Sequence, residues 1–137
     1  MNSTIKNQYV PGGSYLLTFS DISISINANC KNAQGGYVSS RITYNIEEAL
    51  SIGDIINNEG TLAITMGVHS NTINKYNEFV PVGSYQLSSK DITVTLNAKC
   101  QDAAGNWVNS NLITFYAIDA FQIKDISNKN GQLFITK

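Results

Sequence analysis

The sequence predicts an all-β protein with short helical turns, built from two tandem repeats. Three observations carry this. The chain matches itself at an offset of 70, ten-residue runs alternate apolar and polar side chains, and glycine-containing turns separate those runs. From Val10 to Arg41 the identities include Val10/Val80, Pro11/Pro81, Gly13/Gly83, Ser14/Ser84, Tyr15/Tyr85, Asp21/Asp91 and Cys30/Cys100. One inserted residue then moves the offset to 71, and Ile42/Ile113, Asp54/Asp125, Asn57/Asn128, Gly60/Gly131 and Leu62/Leu133 agree. Roughly 26 of 56 aligned pairs are identical, far beyond chance, so the chain is a tandem duplication. Repeat 1 covers residues 10–66, repeat 2 covers 80–137, and a spacer, 67–79, joins them within a single domain spanning 1–137. A copy of about 55 residues would bury little core alone, so two copies packed or exchanged are expected.

Each element follows from local pattern. "DISISINANC" alternates Ile22, Ile24 and Ile26 with polar neighbours, and "DITVTLNAKC" does the same with Ile92, Val94 and Leu96. This is the period of a half-buried strand. "GGYVSSRITY" and "GNWVNSNLITF" read as the next strands, each entered through a glycine turn. In "NIEEALSIGDII" and "YAIDAFQIKDI" the spacing of Ile46, Leu50 and Ile52, and of Ile118, Phe121 and Ile123, predicts a short helix or helical turn. "NNEGTLAI" and "NKNGQLFI" read as a tight turn into a last short strand. Tyr15 and Tyr85 read as core anchors; Tyr37 and Trp107, at one equivalent position after the glycine turn, read as core or sheet packing, with stacking on a ligand as the alternative.

Composition excludes several function classes. Charge is sparse and balanced, net -1, which argues against nucleic-acid binding. No run is long and apolar enough for membrane insertion. "MNSTIKNQYV" lacks the apolar core of a secretory signal, and the Asn2 sequon is discounted. The single histidine, His69, lies in the spacer without a twin, so a Ser-His-Asp set is not expected. Glu47 and Glu48 read as a solvated turn rather than an acid/base pair. No Cys/His spacing suits zinc, so no metal and no cofactor is expected. The chain reads as non-enzymatic, rich in neutral Asn, Ser and Thr.

The ordered motifs "GSY…NANCKNAQGGYVSSRI…DIINNEGTLAI" and "GSY…NAKCQDAAGNWVNSNLI…DISNKNGQLFI" resemble the cyanovirin-N homologue family, from about Val10 to the end. The resemblance implies an elongated, pseudo-symmetric cyanovirin-N-like fold. Each half would hold a three-stranded sheet and a hairpin, with segments exchanged between halves. It also implies a lectin for mannose-containing glycans or glycoproteins, as a monomer or a domain-swapped homodimer. Carried over by position, one carbohydrate site would use Ser14, Thr18, Lys31, Asn32 and Gln34 with Asn128 and Asn130. The other would use Ser84, Ser88, Gln101 and Asp102 with Asn57 and Glu59.

The sequence departs from the family pattern. Phe19 and Ser89 stand where the partners of Cys30 and Cys100 are expected, so no disulfide is expected and both thiols should be buried. Absent bridges and no visible signal peptide fit a cytoplasmic or unassigned location. Leu17, Leu87, Ala33 and Ala103 replace polar site residues, and an insertion of about seven residues precedes each Asn-Gly turn. These changes leave a second reading open, a scaffold module of the same fold that has lost sugar binding. A glycan-processing enzyme is a third reading, and it lacks a carboxylate pair.

Overall fold

The computed structural model describes residues 7–67 and 73–137. Asn2 and His69 lie outside the described residues. Each repeat opens with a short 3₁₀ turn, Ser14–Leu17 and Ser84–Leu87. Each turn leads into a long strand, β1 (Phe19–Lys31) in repeat 1. In chain order β2 (Tyr37–Asn45), helix α1 (Ile46–Ala49), β3 (Ile52–Asn58) and β4 (Thr61–Met66) complete repeat 1. Repeat 2 supplies β5 (Ser89–Gln101), β6 (Trp107–Asn109), β7 (Ile113–Tyr116), a 3₁₀ turn (Ala117–Gln122), β8 (Asp125–Lys129) and β9 (Gln132–Thr136). The architecture is all-β with short helical turns.

The main sheet runs β2-β1-β5-β6, and β7 also pairs with β5. β1 and β5 are antiparallel, with Ile24 opposite Leu96, Ser25 opposite Thr95 and Ile26 opposite Val94. Under the repeat offset that register maps onto itself around Ser25 and Thr95. This differs from the expected three-stranded sheet per half. Both long strands have two pairing edges, and each uses one for its own repeat and one for the other.

Alternation along β1 and β5 decides what is buried. Ile22, Ile24, Ile26, Ala28 and Cys30 face inward, as do Ile92, Val94, Leu96, Ala98 and Cys100. Both cysteines are free and buried. Cys30 lies opposite Ser89 and Cys100 opposite Phe19, at the two ends of the ladder. They are roughly 35 Å apart at the rise of a β-strand, far beyond disulfide reach. Burial raises the Cys100 thiol pKa.

The hairpins β3–β4 and β8–β9 each form a separate two-stranded sheet. β3 corrects the sequence expectation, which extended helical character through Ile52, whereas in repeat 2 the expected helical turn is present at Ala117–Gln122, with Ile123 as its cap before β8. The helical part is shorter: α1 has four residues, held by a capping box in which Asn45 accepts from the Glu48 N–H and Glu48 accepts from the Asn45 N–H. Ile46 and Ile52 are buried, yet Leu50, Ile118 and Phe121 are exposed. Apolar spacing alone therefore overstated the helix. Gly53 and Asp54 are instead recruited into β3, where the Gly53 carbonyl accepts from the Tyr9 hydroxyl at 2.8 Å.

Four tyrosines tie the core together. Tyr15 and Tyr85 donate to the carbonyls of Pro11 and Pro81, and Tyr44 donates to the Tyr9 carbonyl. All are buried, in keeping with the anchor role expected of Tyr15 and Tyr85. Burial pushes the Tyr9 hydroxyl up to about 12, with the Asp54 carboxylate adding to the shift. Desolvation also raises Tyr15, Tyr44 and Tyr85.

Each hairpin is clamped to the opposite repeat's 3₁₀ turn. The Asp54 carboxylate accepts from the Ser84 N–H at 3.0 Å and the Ser84 hydroxyl at 2.7 Å. Asp125 does the same for Ser14, at 2.8 and 2.5 Å. The preceding glycines permit this approach. Gly83, at φ 150°, would place a Cβ 2.7 Å from the Ile55 carbonyl oxygen, and Gly13, at φ 137°, 2.4 Å from that of Ile126.

Two outcomes are expected. Gly83→Ala destabilises the protein by about 2 kcal/mol or more in denaturant unfolding, since the new methyl has no space and the backbone is strained; an unchanged midpoint would contradict the clamp. Stability is also lost at alkaline pH. The folded tyrosines hold protons that unfolded tyrosines release near pH 10, so their contribution is complete below that pH and lost as pH rises through the folded values. The denaturant midpoint should be lower at about pH 11 than at about pH 8, and Tyr85→Phe should reduce the difference.

Candidate functional site

The antiparallel register brings the end of β1 to the start of β5, and the end of β5 to the start of β1. Each meeting point is covered by a hairpin turn, giving two equivalent polar junctions. At the first, the Lys31 N–H donates to the Ser88 carbonyl at 2.8 Å. The Asn57 side-chain amide then donates to the Lys31 carbonyl (2.9 Å), the Ser88 carbonyl (3.2 Å) and the Ser88 hydroxyl (2.9 Å). Its carbonyl oxygen accepts from the Gly60 N–H at 2.8 Å. At the second, the Gln101 N–H donates to the Thr18 carbonyl at 3.2 Å. Asn128 donates to the Gln101 carbonyl (2.8 Å) and the Thr18 hydroxyl (2.9 Å), and accepts from the Gly131 N–H (2.8 Å).

Each junction is flanked by a loop that its first residue holds closed. Asn32 Oδ1 accepts from the Gln34 and Gly36 N–H groups at 3.0 and 2.9 Å. Asp102 Oδ1 accepts from the Ala104 and Asn106 N–H groups at 3.0 and 2.8 Å. The hairpin turns press on these loops. Asn130 Oδ1 accepts from the Ala103 N–H at 2.7 Å, while Gly60 lies against Asn32 and Val38. Glu59 and Asn130 occupy the left-handed region at φ 52° and 53°, followed by Gly60 and Gly131 at 99° and 87°. Two successive positive φ values define the tight turn suited to a twisted hairpin. Asn130 adopts that conformation readily, whereas Glu59 does so at a cost.

This arrangement corrects the grouping implied by the family resemblance. Lys31 meets Asn57 and Ser88, and Asn32 lies against Gly60 of the Glu59 turn, so this loop joins the β3–β4 turn and not Asn128 and Asn130; Ser84 is held by Asp54 of the same hairpin. Gln101 meets Asn128 and Thr18, Asp102 lies against Gly131, and Asn130 bonds its neighbour Ala103, so this loop joins the β8–β9 turn and not Asn57 and Glu59; Ser14 is held by Asp125 of the same hairpin. The reason is geometric. β2 runs back along β1, and the short connection through α1 returns β3 along it, so the β3–β4 turn arrives at the Lys31 end. What crosses between repeats is the 3₁₀ turn with its following residue, not the hairpin turn. Ser14 and Ser84 are drawn into the aspartate clamps, and Asp54 and Asp125 are positioning residues that sequence reasoning missed. Their identity in both repeats was the available signal.

The two junctions differ in chemistry. The first carries Lys31 and Glu59, and the second has Gln101 and Asn130 at the same places, with Asp102 in place of Asn32. Leu17 and Leu87 stand exposed beside Thr18 and Ser88. Tyr37 and Trp107 are also exposed, against the expectation of packing. Each projects from the strand face opposite the core.

A cleft of about 750 Å³ lies elsewhere, between Tyr9, Leu16, Ile52, Glu78 and Val80. None of the candidate residues lines it. Its floor is apolar and buried, at Tyr9, Leu16, Ile52 and Val80, and its rim is open to solvent at Gln8, Leu50, Asn74 and Glu78. Among the described residues no cluster of His, Cys, Asp and Glu could hold a metal ion, and no helix is long and apolar enough to cross a membrane. Comparison with protein-family profiles, curated proteins and solved structures gave no match.

Asn128→Ala is expected to destabilise the protein by about 2 kcal/mol, since it leaves part-buried groups of Gln101, Thr18 and Gly131 unpaired. Glu59→Asn should stabilise it by roughly 1 kcal/mol by relieving the left-handed backbone. Denaturant midpoints of both variants check the two signs together.

Proposed function

We propose that the protein is a non-enzymatic lectin of the cyanovirin-N type, binding mannose-containing glycans or glycoproteins at its two junctions without metal. The observation that carries this reading is the duplicated polar frame itself. Each junction offers amides, hydroxyls and a carboxylate on backbone fixed by several hydrogen bonds. Sugar hydroxyls both donate and accept, so a rigid mixed set of donors and acceptors suits them. The groups left to meet a ligand are those the frame does not consume. At the first junction they are the Lys31 ammonium, the Asn32 amide nitrogen, Gln34 and the Glu59 carboxylate. At the second they are Asp102 Oδ2 and the Asn130 amide nitrogen. The sites are shallow, the protein acts as a monomer or a domain-swapped homodimer, and a cytoplasmic location fits its unpaired thiols.

A second reading, a scaffold module that has lost sugar binding, draws support from a specific observation. The Asn57 and Asn128 amides and the Ser14 and Ser84 hydroxyls are engaged inside the frame. Exposed Leu17 and Leu87 reduce the hydroxyl-binding capacity further.

A glycan array followed by titration separates the two. The lectin reading expects mannose-containing hits. It further expects Glu59→Gln to weaken one site several-fold and spare the other, with Asp102→Asn doing the reverse. No binding of any mannose-containing glycan at millimolar concentration would leave only the scaffold reading.

A further inference from the structure

We infer that Trp107 is the stacking platform for one neutral pyranose ring at the Asn128 junction, and that Tyr37, its counterpart at the Asn57 junction, is not. The inference rests on the lectin reading and adds a difference between the two sites.

Trp107 is placed by strand register. It pairs with Gln101, the last residue of β5, while its neighbour Val108 pairs with the buried Cys100. Alternation therefore puts Val108 on the core side, under Gly131, and Trp107 on the solvent side beside Gln101. Gln101 is the residue whose carbonyl receives the Asn128 amide and whose N–H reaches Thr18. The indole thus shares the outer face with the Gln101 side chain, across the strand from Gly131 and its hairpin turn, and it is 49% exposed. An indole so placed keeps much of its apolar area in water, area that burial against a ligand would stabilise.

The other repeat supplies the control. Tyr37 pairs with Lys31 in the same way and is equally open to solvent, at 48%. Its ring, however, is covered by the Lys90 ammonium, 4.1 Å from the centroid. That contact satisfies the electron-rich face of the ring with a cation. At the second junction the residue equivalent to Lys90 is Ser20, whose side chain is too short to reach the indole. Among the described residues no cation or ring contact is made to Trp107.

The chemistry selects a ligand class. An aromatic face attracts weakly positive C–H groups, and a pyranose presents several on one face of its ring while its hydroxyls point outward. A ring laid on Trp107 would direct those hydroxyls toward the Gln101 side chain on the same face, whose Nε2 donates to the Gly105 carbonyl at 3.2 Å and whose Oε1 is left to accept. The Lys90-capped Tyr37, with Lys31 beside it, offers positive charge in place of an apolar face.

Trp107 is the only tryptophan in the chain, so its emission reports this site directly. The full-length protein is titrated with methyl α-mannopyranoside, methyl β-galactopyranoside and a mannose-rich oligosaccharide, with calorimetry in parallel. The expected result is a blue shift of Trp107 emission and protection from acrylamide quenching, in step with the heat of one site. Trp107→Ala should weaken that site about tenfold. Trp107→Phe should retain most of the affinity, and Tyr37→Ala should leave it unchanged. Saccharide binding by calorimetry with no change in Trp107 emission, and with Trp107→Phe and Trp107→Ala both equal to the parent protein, overturns the stacking role and leaves the lectin reading standing. Absence of heat with all three saccharides removes the lectin reading and this inference with it.

Discussion

The antiparallel pairing of β1 with β5 is the constraint on which the rest of the structure depends. It joins the two repeats in one sheet and fixes their relation around Ser25 and Thr95. A shift of one residue would turn Ile22, Ile24 and Ile26 outward while their partners in β5 still faced the core, because strand side chains alternate with period two. The same register decides which chain ends meet. Lys31 arrives beside Ser88 and Gln101 beside Thr18, so both polar junctions are consequences of a hydrophobic pairing.

The hairpins complete what the register begins. Asp54 and Asp125 lock each hairpin to the opposite repeat's 3₁₀ turn, and Asn57 and Asn128 stitch each turn to the strand ends. A single asparagine here serves the turn, the strand junction and the neighbouring repeat. This concentration of roles divides the polar residues into two groups. Some hold the frame, and others, such as Lys31, Glu59 and Asp102 Oδ2, face outward. A binding surface built this way is rigid because its supporting hydrogen bonds are internal and paired. The frame residues limit what remains for a ligand, so the exposed aromatic at one junction acquires weight.

Much of the fold was legible in the sequence and the pairing of its parts was not. Alternation revealed β1 and β5 because their inward residues are nearly all Ile, Val, Leu, Ala or Cys. Tyr15 and Tyr85 were legible as anchors, whereas the capping box of Asn45 and Glu48 was passed over as a solvated turn. β3 was hidden because Ile46, Leu50 and Ile52 mimic a helical face. Its strand character comes from pairing with β4 across the Glu59-Gly60 turn, and the Tyr9 hydroxyl and Ser84 then hold it in place. Of the expected groupings, Thr18 with Asn128 and Ser88 with Asn57 are present, whereas the Lys31 and Gln101 loops lie at the opposite junctions from those expected. Register between strands about 70 residues apart leaves no local mark. Trp107 and Tyr37 were misjudged for a similar reason. Nothing in "GGYV" or "GNWV" says which face of the sheet is covered, and only the opposition of Val108 to Cys100 settles it.

The composite nature of the junctions can be tested most directly by amide chemical-shift mapping during titration with a mannose-rich oligosaccharide. The account predicts two linked sets of perturbed residues. One contains Lys31, Asn32, Glu59 and Ser88, and the other contains Gln101, Asp102, Asn130 and Thr18. Perturbations centred on the Tyr9–Glu78 cleft, or a set joining Lys31 with Asn130 while sparing Glu59, would contradict it.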